Sequence, residues 1–135
     1  VGVVKVLIGK IDIAGLLKAF RKFEKFHQEP IITDRDKAGV IQSFEYTFEL
    51  CWKTMKRILE EEGRGADSPK SVFRIAATNR LIDDPEIWFE FLKKRNITVH
   101  TYDEDDADLV LSICTDFSTE VRKFLKNIGV PDDQY

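Results

Sequence analysis

A chain of 135 residues, 43% hydrophobic and 33% charged, can bury a sizeable core without metal or disulfide staples, and that balance argues against disorder. Seven glycines and four prolines leave little material for a turn-rich sheet protein. A formal net charge of −3 argues against a histone-like or general DNA-binding role, so any contact with RNA has to be local and salt-dependent.

The opening "VGVVKVLIGK" has two lysines, a short β-branched stretch and no small-residue cleavage site, which makes a poor signal peptide. Residues 1–11 therefore read as an N-terminal extension that is disordered, foreign to the natural chain, preceded by a misassigned start, or a frayed strand. From Asp12 onward, Ile13, Leu16, Leu17, Phe20, Phe23 and Phe26 recur at the three-and-four spacing of an amphipathic helix, which Pro30 ends. "TDRD" then supplies Thr33 as an N-cap with Asp36 three residues later. Val40, Ile41, Phe44, Phe48, Cys51, Trp52, Met55, Ile58 and Leu59 follow on one face of the longest helix, up to the glycines of "EEGRGAD".

Ser68 and Pro69 open a short helix running to about Arg80. Asp84 and Pro85 repeat the device for a fourth helix that carries Ile87, Trp88, Phe91 and Leu92 inward and ends on Lys93, Lys94 and Arg95, as a helix C-terminus prefers. Thr101 with Glu104 makes a capping box for a last helix carrying Leu109, Val110, Ile113, Cys114, Phe117, Val121, Phe124 and Leu125, terminated by Gly129 and Pro131.

The expected fold is all-α, an up-and-down bundle of four or five helices, with residues 12–128 as a single domain and 129–135 as a tail. No apolar run reaches the roughly 18 residues of a membrane span. Cys51 and Cys114 lie far apart in apolar helical patterns with no Cys-x-x-Cys or Cys/His cluster, so they read as reduced core residues of a cytoplasmic protein. In that setting the sequon-like Asn96-Ile97-Thr98 has no meaning.

The stretch "KKRNITVHTYDEDDAD" concentrates the chemistry. If Thr101 caps a new helix, Arg95 stands near the end of one helix and His100 just before the next, so the two can converge at the junction. In an uninterrupted helix they would stand about 140° apart. His100 can exchange protons near neutral pH while Arg95 steadies a phosphate, the minimum for metal-independent attack by an RNA 2′-hydroxyl. Asp103, Glu104, Asp105 and Asp106 in the following turn oppose an anion there. Arg-x4-His alone is weak evidence, since such a pair arises by chance about a third of the time in a chain of this composition. Arg21 and His27 also fit the spacing, in mid-helix and without a following Tyr, and serve as background.

Neither acidic feature reads as a metal site. "DEDDAD" lacks the glycine and distant Glu of a calcium loop and complements a helix N-terminus instead. Glu45 and Glu49 have no Glu-x-x-His companion.

The array Arg95-x4-His100-x-Tyr102, behind "FEYTFELCWK" and "SPKSVFRIAATNRLIDD", resembles the nucleotidyltransferase substrate-binding protein family, a branch of the HEPN superfamily, over roughly residues 12–128. The resemblance implies a homodimeric helical bundle that partners a separately encoded minimal nucleotidyltransferase. Relatives with the full motif resemble toxins of toxin–antitoxin pairs, in which Arg and His form a ribonuclease site and the transferase silences it by attaching AMP to the Tyr. Carried over, Arg95 would stabilise the phosphorane-like charge, His100 would act as acid or base, and Tyr102 would be the modified hydroxyl. Asn96 matches the polar residue after the Arg, and Glu45 and Glu49 are supporting residues on a neighbouring helix face.

Three readings follow: a binding subunit of the transferase, a metal-independent ribonuclease that takes RNA as substrate, and a helical scaffold with a vestigial motif. None calls for a cofactor, a metal, DNA or a membrane. The chain also lacks the Gly-Ser and paired-Asp signature of a nucleotidyltransferase, so transferase chemistry would belong to the partner.

Overall fold

The computed structural model describes residues 7–98 and 104–135. The expected Thr101 cap, together with His100 and Tyr102, lies outside these residues.

The chain opens with a two-stranded antiparallel hairpin, β1 (Leu7–Ile8) and β2 (Ile11–Asp12), in which Ile8 pairs with Ile11 across a turn at Gly9. Gly9 sits at φ +59°, where a Cβ would be strained. The hairpin belongs to the core through Ile11, so the segment before Asp12 contributes its last residues to the fold. Six α-helices follow among the described residues: α1 (Ala14–Gln28), α2 (Asp34–Glu61), α3 (Pro69–Thr78), α4 (Pro85–Thr98), α5 (Glu104–Leu111) and α6 (Cys114–Asn127).

The starts of the first four helices follow from their side chains. The Asp12 carboxylate accepts the Ala14 N–H at 2.9 Å. Thr33 and Asp36 form a full capping box, in which the Thr33 hydroxyl accepts the Asp36 N–H at 3.1 Å and Asp36 accepts the Thr33 N–H at 2.9 Å. Ser68 caps α3 ahead of Pro69, and Asp84 accepts the Glu86 N–H at the start of α4. Helix α2 ends at Gly63 (φ +75°) and α6 at Gly129 (φ +88°), the left-handed positions that stop a helix.

The last helix departs from expectation, because it is two helices. The Ser112 hydroxyl donates to the Leu109 carbonyl at 2.6 Å, and the Ile113 N–H turns to the Val110 carbonyl at 3.2 Å, a tighter i−3 bond. This local competition for carbonyls ends α5 and lets α6 set off on its own axis. Leu109, expected inside, is consequently 46% exposed.

Phe117 on α6 is the hub of the core. Its ring meets Phe44 at 4.8 Å, Phe23 and Phe91 each at 5.2 Å and Trp88 at 6.1 Å, all close to edge-on. Edge-to-face geometry sets the positive rim of one ring against the negative face of another and adds about 0.5–1.5 kcal/mol per pair beyond area burial. Rings from α1, α2, α4 and α6 thus converge at one point. Cys51 and Cys114 are buried thiols as expected, and burial pushes Cys114 up to about 12, which keeps it neutral and unreactive.

The tail packs back onto the bundle. Val130 is buried, the Arg21 guanidinium donates to the Gln134 carbonyl, and Tyr135 lies 6.3 Å from Phe20, with the Arg122 guanidinium over both rings. Arg21 and His27, the background pair, both have structural partners. His27 stacks on Phe23 at 5.6 Å, and its Nε2 lies 3.3 Å from the Thr115 hydroxyl.

Candidate functional site

Trp88, Phe91 and Arg95 fall three and four residues apart, so Arg95 continues the inward stripe of α4. Its side chain is 29% exposed, with Nε buried and the rest of the guanidinium reaching the edge of the core. The Thr98 hydroxyl donates to the Arg95 carbonyl at 2.6 Å and secures the last described turn of α4.

Facing Arg95 is α2. Phe44, Phe48, Cys51 and Met55 point into the core, and Glu45, Glu49 and Trp52 form the adjoining stripe at its margin. Glu49 Oε1 lies 3.2 Å from Arg95 Nε. The approach is off the N–H direction, so it is an ion pair without an aligned hydrogen bond. Glu49 Oε2 accepts the Trp52 indole N–H at 3.1 Å and stands 3.7 Å from Lys53 Nζ.

The fold therefore brings together two of the expected residues, Arg95 and Glu49. Glu45 lies one turn earlier and instead lines a groove of about 590 Å³ between α2, the end of α4 and α5, with Ile41, Ile97 and Val110 among its apolar walls. Asn96 is exposed on α4. Lys37 crosses the mouth of the groove to Asp108 at 3.3 Å and Glu104 at 3.6 Å, and the hydrogen bond to Asp108 holds its ammonium pKa above the ordinary lysine value.

Two features go beyond what the sequence pattern predicts. Trp52, expected on the core face, is only partly buried and uses its N–H on Glu49; the Glu-x-x-Trp spacing on a helix is the signal that points to it. Tyr46, one residue beyond Glu45, is 63% exposed on the same helix. Among the described residues no group of three His, Cys, Asp or Glu side chains is placed to hold a metal ion, and no helix is long and apolar enough to cross a membrane.

A guanidinium at a helix end, half withdrawn from water and countered by one carboxylate, is suited to an anion with planar oxygens such as a phosphodiester.

Comparison with known proteins gives the family and the fold. The family model described as nucleotidyltransferase substrate binding protein like matches residues 11–129. A protein of Haemophilus influenzae named as a probable ribonuclease HepT is 36% identical over 106 residues, covering 75% of this chain and 73% of that one. A solved Haemophilus influenzae structure, described as revealing the fold of a substrate binding domain of a nucleotidyltransferase, superimposes with a TM-score of 0.76 at 33% identity, over 86% of this chain and 98% of the other. A crystal structure of a Thermus thermophilus protein gives 0.78 at 28% identity, over 84% and 98%.

Proposed function

Because the chain belongs to the nucleotidyltransferase substrate binding protein like family, we propose that it is the helical partner subunit of a separate minimal nucleotidyltransferase in a two-component, HEPN-type system. The observation that carries this reading is the family match, which spans nearly all of the described bundle, including α2, α4 and the Arg95–Glu49 pair. The partner supplies the transferase chemistry, and this chain, as a cytoplasmic homodimer, supplies a binding surface. Co-expression with the transferase followed by size-exclusion chromatography tests it. A stable complex supports the reading, and two separate peaks count against it.

The similarity to a probable ribonuclease favours a second role, compatible with the first, in which the chain is a metal-independent endoribonuclease of a toxin–antitoxin pair. His100 takes the proton from an RNA 2′-hydroxyl, whose oxygen attacks the adjacent phosphorus. Arg95 offsets the charge that builds on the phosphoryl oxygens, and the 5′ oxygen leaves with a proton from the imidazolium. The products are a 2′,3′-cyclic phosphate and a free 5′-hydroxyl. Tyr102, two residues from His100, is the hydroxyl to which the transferase joins AMP from ATP, the phenol oxygen displacing pyrophosphate at the α-phosphorus and giving up its proton. The bulk and negative charge of AMP beside the general base would close the site to RNA. Asn96, Glu45 and Glu49 support the motif.

Incubation of the purified protein with total RNA in EDTA, beside His100→Ala, tests this role. Cleavage to cyclic phosphate ends that the variant abolishes is expected. Intact RNA from unmodified, folded dimer would leave only the binding role, or a scaffold with a vestigial motif.

A further inference from the structure

We infer that Glu49 and Trp52 form a clamp that positions the Arg95 guanidinium for a phosphodiester and restrains its charge until one arrives. The inference rests on the ribonuclease reading for the identity of the anion, and on the geometry for the clamp itself.

The two carboxylate oxygens of Glu49 have separate duties. Oε1 faces Arg95 on α4, 3.2 Å from Nε, and Oε2 is held within α2 by the Trp52 indole N–H at 3.1 Å and by Lys53 at 3.7 Å. Glu49 is therefore oriented from its own helix before it meets Arg95. The indole is the rigid part of that anchor, since Trp52 packs against the core while Lys53 is exposed. Among the described residues Glu49 is the only ionic partner of Arg95.

The contact is incomplete in the free chain. Arg95 Nε is buried and has no aligned hydrogen bond, although Oε1 stands within charge-assisted hydrogen-bonding distance. Catalytic hydrogen bonds are often poorly aligned before substrate binds and tighten in the complex. A phosphate drawing on the terminal nitrogens would turn the guanidinium so that Nε–H points along Oε1.

Two consequences oppose each other. The Glu49 charge weakens the attraction of Arg95 for an anion, yet its position fixes the plane in which the guanidinium presents its fork. Removing the charge should tighten RNA binding and slow cleavage, a combination that loss of structure does not produce. Trp52→Phe keeps an aromatic ring and the Glu49 charge but loses the orienting N–H. It should slow cleavage and leave binding unchanged.

The test uses the full-length protein with arginine labelled at 15Nε, as wild type, Glu49→Gln and Trp52→Phe, each first checked for wild-type melting. The Arg95 Nε–H signal should be protected from solvent exchange in wild type, shift on titration with a 2′-O-methyl RNA that cannot be cleaved, and exchange faster in both variants. For the same RNA, Glu49→Gln should bind about threefold to tenfold more tightly, the effect of removing one partly screened charge. With cleavable RNA, kcat should fall about tenfold or more in Glu49→Gln while KM falls with it, and in Trp52→Phe kcat alone should fall. An Arg95 signal unchanged by either substitution, or weaker RNA binding by Glu49→Gln, would overturn the clamp. Wild-type protein that binds RNA without cutting it would remove the ribonuclease reading while the Nε–H signal and the binding ratio still decide the clamp.

Discussion

The ring cluster around Phe117 and the polar edge around Arg95 lie on the same helices, α2 and α4, yet are held by different physics. At the centre, rings from four helices exclude water, and no charge has to be balanced. At the edge, one guanidinium and one carboxylate are each about 30% exposed, and their attraction is partly screened by water. The centre supplies stability, and the edge uses it to hold a charge in place. Arg95 can be spared from structural work because Trp88 and Phe91, on the same stripe of α4, already anchor the helix.

Substitutions put that contrast at risk in measurable ways. The largest effect is expected from Phe117→Ala, which leaves a ring-sized void among four aromatic neighbours and should cost about 3–5 kcal/mol in denaturant unfolding. A loss below about 1 kcal/mol would mean that the cluster is not the hub. Glu24→Ala comes next. Glu24 is a buried carboxylate on α1 that accepts the Ser118 hydroxyl and Arg122 Nε on α6, the latter at 3.1 Å, and its removal should cost about 2 kcal/mol by the same measurement.

Thr33→Ala removes the α2 cap and should lower stability by about 1 kcal/mol. Arg95→Ala should change stability by no more than about 1 kcal/mol while abolishing RNA cleavage, and an unfolded variant would erase the distinction between the two regions.

The smallest effect concerns acid. The Thr33 and Ile32 backbone N–H groups hold the Asp36 carboxyl below its ordinary value of 3.8. A depressed folded-state pKa stabilises the fold above the ordinary value and loses that contribution as pH falls through the depressed one. Melting followed from pH 5 downward should therefore drop less steeply below about pH 4 in Asp36→Asn than in wild type, and parallel curves would count against the cap as the source.

The capping residues Thr33, Ser68 and Asp84 are legible in the sequence because their information is local: a short polar side chain next to a helical pattern satisfies the first N–H groups whatever packs against the helix. The break at Ser112 is not legible, because serine continues many helices, and here its bond to the Leu109 carbonyl wins only where α6 must turn to place Phe117 among its partners. Burial of Ile11 and Val130 is hidden for a related reason, since short apolar segments at the ends of a pattern carry no periodicity to read.

The site divides in the same way. Arg95 is recognisable in the motif, and Glu49 on its helix face. The expectation that Glu45 and Glu49 act together does not distinguish them, and the structure does: one turn of α2 places Glu49 on Arg95 and Glu45 in the groove.

The all-helical class, the starts of the first four helices, the aromatic composition of the core and the family can all be read from the residues in order, since each rests on periodicity, local hydrogen bonding or motif order along the chain. Which carboxylate meets Arg95, and that one expected helix is two, are settled only once the helices pack. The first depends on the rotation and spacing of α2 against α4, and the second on α6 turning to place Phe117 among its partners, both set by how side chains distant in sequence fill the space between helices.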